Sequence, residues 1–521
     1  MSLFKNRRSA LFAGIATVAL ATTCLTACGE AKDAGTDQGK KEITAAVSYE
    51  TQNFLPANCS SALAVASNWH VVEGLYDLDM DTYTPYKALA AEDEPEKISD
   101  TEYQVTLRKD AKFSNGDAVT ANDVVKSFER TVEPEGALYK SMLDFIDHME
   151  AVDETTVKIV LNRPFSLIKE RLTLVYVVPA DATDEDLTVM PVGSGPWKYE
   201  SINEKTLTFV PNEFYNGDHP AKAESMKWDI IKDNTARTTA LTEGTVQVME
   251  NVPADTAEQC EAAGAKLESV QGFNLPFLMF NTQKAPFNDK RVRQAFFYAI
   301  DTQKLIDNAM DGQASPVTSF LPENHKNYHE ASVVYTYNPE KAKELLKEAG
   351  QENLKVTLQT TDHDWITALS PQIKNDLEAV GMTVDINEQA SSSLYANQAD
   401  VDNPTYDVAL APGDPSCFGN DPDLLMNWWY GDNIWTQKRT FWQGSDKAKF
   451  DELHGYLDEA LKTTGEKQQE EWNKAFDLLS EEVPLYPLFH RKVTTAYYAD
   501  KIEGFKPIGT TGLSFLDASV K

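Results

Sequence analysis

The chain is 521 residues long, more than one compact core can hold, and its 81 acidic against 48 basic side chains give it a formal charge of −33. A surface so acidic repels phosphate backbones and argues against nucleic acid as a partner. Aromatic residues at 10% and hydrophobic residues at 42% argue against disorder, which leaves a folded, acidic chain of two to four domains.

The first segment reads as an export signal. Lys5, Arg7 and Arg8 form a positive patch with no acid before Cys28, and Ala10 to Ala21 is a short apolar run. Such a run falls short of the ~20 apolar residues a spanning helix needs, and the combination marks a secretory signal over 1–27 rather than a structural helix. Losing three cations and no acids takes the formal charge from −33 to −36. Residues 28–41, rich in Gly, Lys, Asp and Thr, read as a flexible tether.

Ile43 to Glu50 opens the mature chain as a buried strand. Tyr103, Val105 and Leu107 alternate with polar residues, as a strand with one buried face requires, and Val157, Ile159 and Leu161 repeat the pattern. Between them a turn at Asn115-Gly116-Asp117 precedes a helix capped by Thr120 with Asp123 three residues on. Gly193 and Gly195 are expected to permit a tight turn with unusual backbone angles. From Asn288 a helix places Val292, Ala295, Phe296, Ala299 and Ile300 on one face and Arg291 and Arg293 away from it. Asp301 caps the next helix, and Asn338, Pro339 and Gly350 bound a third. A strand at Val356 and Leu358 follows, then a helix kinked or restarted at Pro371, then strands at Thr383 to Ile386 and Tyr406 to Ala411. Strand, helix and strand with short connections imply a parallel sheet.

Catalysis finds no support. His329-Glu330 begins like a zinc-protease motif, but the fifth position is Val333, and His325 with His329 has no third ligand in view. There is no G-x-S-x-G elbow and no P-loop. No metal and no cofactor is expected. Once Cys24 leaves with the signal, Cys28, Cys59, Cys260 and Cys417 remain, without CxxC spacing.

Two resemblances join these observations. Leu25-Thr26-Ala27-Cys28 resembles the lipobox of bacterial lipoproteins, which implies cleavage before Cys28 and a lipid on its thiol. Three further blocks resemble the peptide- and nickel-binding family of ABC-transporter solute-binding proteins. They are YQVTLRKDAKFSNGD from Tyr103 with VTANDVVKSF from Val119; PVGSGPWKY from Pro191 with NEFYNG from Asn212; and FNTQKAPFNDKRVRQA from Phe280 with YAID from Tyr298. The resemblance implies an α/β, two-lobed periplasmic-binding-protein-like fold joined by two hinge strands, with an extra subdomain in the first lobe. Lobe one would take about 42–82, 191–280 and 491–521, the insert 83–190, and lobe two 281–490.

It also implies a function: a monomer, lipid-anchored on the outer face of the cell membrane, that captures peptides between its lobes and delivers them to an ABC permease and its ATPases. A nickel chelate or an oligosaccharide on the same scaffold, a secreted hydrolase, and an adhesin or receptor are the rivals. In APGDPSCFGNDPD, from Ala411, Asp414 matches the family's partner for a peptide amine; extra residues before Asp421 make Asp421 a rival and a plain turn aspartate the alternative. Adjacent Trp428 and Trp429 cannot share a helix face, so at least one is expected to line a cavity or interface, with Trp435 nearby. Arg439 can receive a carboxylate bidentately or form a surface ion pair. Tyr486 falls where family members place a ligand-contacting aromatic. Cys59 falls in the segment they lay along the cleft and Cys417 in the ligand loop, which makes a Cys59–Cys417 disulfide an expectation.

Overall fold

Burial explains which strands sit at the centre. The segment Leu275–Phe280 reads LPFLMF, and every one of its residues is buried. A strand with no polar face must be covered on both sides, and each large side chain so buried contributes ~1.5–3 kcal/mol. This computed structural model describes residues 41–134 and 137–521; the expected signal, tether and Cys28 lie outside them, and the expected tether end, Lys41, opens the described chain. Among the described residues no helix is long and apolar enough to cross a membrane.

Two large sheets carry the α/β fold. The first runs in the order Lys266–Gln271, Phe489–Tyr497, Val248–Met249, Glu42–Val47, Ser225–Ile230, Thr206–Pro211, Trp197–Ile202. Glu42–Val47 lies parallel to both neighbours, with Ala45 opposite Trp228 and Val248. The second runs Thr383–Gln389, Lys355–Thr361, Val408–Gly413, Leu275–Phe280, Leu485–Pro487. Its first three strands are parallel, as the strand–helix–strand pattern implied. Leu275–Phe280 pairs antiparallel on both sides, so the sheet is mixed. That strand, expected at the end of lobe one, pairs into the second lobe's sheet; Phe489 and His490, expected in lobe two, pair with Pro316 and Ser315 of the short strand Ala314–Pro316, and from Lys492 on the chain pairs with Lys266–Gln271 in the first sheet. The two crossings are short, residues 272–274 and 488–491.

The insert is a four-stranded antiparallel sheet, Glu96–Ser99, Glu102–Thr106, Thr156–Leu161, Ile146–Ala151. The helix Ala121–Val132 packs on it, started by the expected capping box of Thr120 and Asp123. Asp301 and Asn338 cap their helices as expected, and Pro371 starts the helix Ser370–Ala379.

Two local expectations are corrected. Arg293 is only 3% exposed on the helix Lys290–Ala299. Its guanidinium donates to the carbonyls of Phe287 and Glu482 and lies 3.6 Å from the Glu482 carboxylate, which lets a cation enter the core. Gly193 and Gly195 have no positive φ. A Cβ there would stand 2.2 Å from the Val71 carbonyl oxygen and 2.6 Å from that of His70, so close backbone approach is what requires glycine.

Candidate functional site

The cleft between the sheets is marked by side chains that reach across it. Val408–Gly413 delivers Asp414 at its end, directly after a glycine whose Cβ would lie 2.4 Å from the Trp429 ring. Asp414 Oδ1 accepts from the Ser416 amide at 3.1 Å and hydroxyl at 2.5 Å, and Oδ2 accepts from the Thr510 hydroxyl at 2.7 Å. Thr510 belongs to the C-terminal loop, on the first lobe's side. That loop comes so close because Gly272, at the crossing, meets Gly509 backbone to backbone: a Cβ on Gly272 would lie 1.9 Å from the Gly509 carbonyl oxygen. Burial pushes the Asp414 carboxyl above its usual range, against the pull of its hydroxyl and amide donors. Among the described residues no cationic side chain pairs with it. The carboxylate is held in place, desolvated and not neutralised.

Beyond Asp414, the same end of the cleft is walled by Trp69, Tyr86, Tyr176 and Cys417 around a cavity of about 20 Å³, room for a single water. Asp77 also faces it, raised well above the ordinary carboxylate range by burial and then by the neighbouring Glu73. Tyr83 reaches from the insert to Ser416, hydroxyl to hydroxyl at 3.5 Å. At the other end Trp365, in the short helix Asp364–Thr367 after the second sheet's strand Lys355–Thr361, lies over the guanidinium of Arg491, 4.8 Å from Cζ to the ring centre. Arg491 comes from the first sheet. The Asn234 amide donates to Asp364 at 3.1 Å beside it.

The residues singled out in the sequence fall in different places. Asp414 and Cys417 face the cleft. Asp421 does not: it caps the helix Pro422–Tyr430, and with Asp423 it holds the buried Arg171 of the insert, at 2.6 and 2.9 Å from Asp421 and 2.7 Å from Asp423. Trp429 is fully buried among Phe273, Phe277 and Phe320, while half-buried Trp428 stacks on Phe418. Trp428 and Trp435 border a groove of about 810 Å³ between lobe two and the insert's Leu138, Met142 and Phe165, so the expectation that one of the adjacent tryptophans lines a cavity is met by Trp428. Arg439 takes the ion-pair alternative: it binds Asp400 bidentately at 2.7 and 3.0 Å and is sandwiched between Tyr395 and Trp435. Tyr486 is 1% exposed and packs on Phe297 and Tyr335 inside lobe two, away from the cleft.

Cys59, Cys260 and Cys417 are free thiols, so the expected Cys59–Cys417 bridge is not formed. Cys417 turns to the Asp414 carbonyl at 3.6 Å and Cys59 to the Asn68 amide at 4.0 Å. His325 spends both ring nitrogens on its own surroundings, the Asn420 carbonyl and the Asn327 amide. No group of His, Cys, Asp and Glu among the described residues is arranged to hold a metal ion. Trp365 and Arg491, which meet across the cleft, were not among the residues singled out in the sequence. Only the position of Arg491, at the return to lobe one, was a signal that could have found it.

Residues 84–437 match the family described as bacterial extracellular solute-binding proteins, family 5. The chain belongs to that family, and it is a solute-binding protein rather than an enzyme. It is 27% identical over 498 residues to the glutathione-binding protein GsiB of Salmonella choleraesuis (strain SC-B67), covering 92% of this chain and 95% of the relative. Two solved structures share its two-lobed fold. NikA from Staphylococcus aureus, in complex with Ni(L-His)2, has a TM-score of 0.78 at 20% identity, over 92% of this chain and all of the other. A dipeptide-binding protein from Pseudoalteromonas sp. SM9913, in complex with Met-Leu, has a TM-score of 0.79 at 19% identity with the same coverage.

Proposed function

We propose that this chain is the capture subunit of an ABC importer for short peptides, lipid-anchored through Cys28 on the outer membrane face, which closes on its solute and presents it to a permease. The observation that carries the peptide reading is Asp414, a desolvated carboxylate in the cleft held by two hydroxyls and an amide and by no cation. A peptide ammonium supplies the missing charge, and a buried carboxylate gains most from a partner it cannot find in the protein itself. The relatives favour the same class: one is named for glutathione, a peptide, and another holds Met-Leu. Closure follows if the solute binds the closed form better than the open one.

Native mass spectrometry of the mature protein tests the solute directly. Co-purified peptide is the expected result; a sugar or a metal chelate in its place overturns the reading. Asp414→Asn keeps the shape and removes the charge, and is expected to weaken peptide binding by ~2–5 kcal/mol in calorimetry, the range for breaking a buried charge pair. Wild-type affinity in that variant would refute the amine contact. For the anchor, Cys28→Ser is expected to move the protein from the membrane to the soluble fraction and to abolish palmitate labelling.

A further inference from the structure

The carboxylate of Asp77 meets the cleft half-used. Its Oδ1 accepts from the Gly74 amide at 2.8 Å, and its Oδ2 has no donor among the described residues. The charged groups that face it, Glu73 and Arg108, are engaged with each other: Arg108 gives its two Nη atoms to Glu73 at 2.9 and 3.0 Å and its Nε to Asn216 at 2.8 Å. Local pairing brings aromatic rings to this acid. The strand Tyr76–Asp79 runs antiparallel to Thr84–Lys87 with Asp77 opposite Tyr86, so both side chains rise from the same face of the hairpin. Gly74 pairs with Tyr176 in a single antiparallel bridge, and a Cβ on Gly74 would lie 3.0 Å from the Val175 carbonyl oxygen, an approach that favours glycine.

Trp69, Tyr86, Tyr176 and Phe418 wall the cavity of about 20 Å³ that Asp77 lines. Phe418 is set by the Trp428 ring stacked on it, 5.1 Å between centroids. Aromatic faces attract cations most where water is excluded, and an unpaired carboxylate among them adds a full charge. Burial and then Asp414 push the Cys417 thiol well above its ordinary range, so it stays neutral on the cavity wall. We propose that this aromatic cage holds a primary ammonium on a side chain of the captured solute, so that the protein prefers peptides with a lysine- or ornithine-like residue over those with a neutral residue of the same stem. This rests on the peptide reading above and adds a side-chain preference to it. The size of the cavity sets the class: one water-sized space admits an ammonium, a compact point charge, and excludes the wider planar guanidinium. Lobe two supplies Cys417 and Phe418, while the other named walls come from lobe one and the insert, so the cation would be enclosed by parts of the chain that meet only on closure. With 81 acidic against 48 basic side chains, the field of the whole molecule draws a cationic solute towards it.

The test is calorimetry of the mature protein with three sets of short peptides, carrying lysine, norleucine or arginine at one position and alanine elsewhere, with every position sampled. The lysine set is expected to bind about tenfold or more tightly than the norleucine set, which has the same stem without the charge. The arginine set should bind no better than norleucine. In Asp77→Asn, whose amide oxygen can still meet Gly74, the lysine peptides should fall to the affinity of the norleucine peptides while those stay where they were. Tyr86→Leu should weaken the lysine set more than the norleucine set. Thermal midpoints check that each variant is folded, and Tyr86→Leu keeps the test decisive if Asp77→Asn is not. Equal binding of lysine and norleucine peptides by the wild type overturns the cage and leaves the peptide reading standing, with Asp77 serving only to close the Gly74 turn. Arginine peptides that match the lysine peptides overturn the choice of a primary ammonium. If no set binds, the peptide reading falls and this inference with it.

Discussion

His70 shows how a single side chain fastens the two ends of lobe one. It is fully buried, its Nδ1 meets the Ala66 carbonyl at 3.0 Å, and its Nε2 accepts from the Phe515 amide at 2.8 Å. Nε2 can accept only in the neutral ring, and the faces around it are the rings of Phe209, Trp228 and Phe515, with no charge in contact. Burial lowers its pKa to about 4, against which the Ala66 carbonyl pulls only weakly. The unfolded chain titrates near 6.5, so between 6.5 and about 4 the unfolded state binds more protons and stability rises with pH. The stability His70 contributes is thus complete above pH 6.5 and lost as pH falls towards 4, at ~1.4 kcal/mol for each pH unit crossed between those two values. His70→Gln is expected to unfold more easily at pH 7, yet to lose less stability between pH 6.5 and 4 than the wild type. Urea unfolding across that range measures it, and parallel pH profiles for the two proteins would refute it. Among site residues the same lesson about partners holds. Composition treats Arg439 and Arg491 alike, as basic residues near aromatics; only the fold assigns Asp400 to the first and gives the second no acid within ion-pair distance among the described residues. Sequence spacing does not carry that distinction, because both partners lie far along the chain.

At the scale of elements, what could be read from the sequence was what local chemistry decides. The caps at Thr120, Asp301 and Asn338 and the alternating strand at Val157–Leu161 follow from side chains a few residues apart. Leu275–Phe280 was not legible as the strand that crosses into lobe two, since a short apolar run has no period to orient it and its partners lie at 408–413 and 485–487. Burial of Arg293 and Tyr486 likewise depends on helices and strands packed from elsewhere in the chain. The crossing itself makes a prediction. Gly272 touches Gly509 so closely that a methyl group must displace the loop that carries Thr510 and Gly512. Gly272→Ala is expected to cost ~1–3 kcal/mol in stability, as overpacking does. It should also weaken solute binding, because the donor to Asp414 moves with the loop. A variant with lowered thermal midpoint and unchanged affinity would mean that the loop does not position the site.

Across the whole molecule, one of the polar contacts that join the insert to lobe two is a buried ion cluster. Arg171, 1% exposed, leaves the insert and enters lobe two between Asp421 and Asp423, which are themselves nearly buried. The pair of carboxylates holds Arg171 charged, and Arg171 in turn pulls the Asp421 carboxyl below its usual range against the burial that opposes it. The insert is fixed to lobe one by Arg108, which binds Glu73 at 2.9 and 3.0 Å, so under the proposed capture mechanism the Arg171 contact spans the two halves that would part for a solute to enter. Under that mechanism its energy belongs to the closed form. Opening exposes all three charges to water, which makes the step tolerable, whereas removing the arginine alone leaves two carboxylates facing one another when the lobes close. Arg171→Met is therefore expected to cost the closed form ~3–5 kcal/mol. Apparent solute affinity falls in proportion to the closed fraction that remains, and the radius of gyration of the solute-free protein in X-ray scattering rises. Adding Asp421→Asn and Asp423→Asn should restore part of both, since the repulsion goes with the charges. If Arg171→Met binds solute as well as the wild type and scatters with the same radius, the ion cluster is a fastening within one rigid body, and closure must be governed by other contacts across the cleft, such as Asp414–Thr510, Tyr83–Ser416, Asn234–Asp364 and Arg491–Trp365.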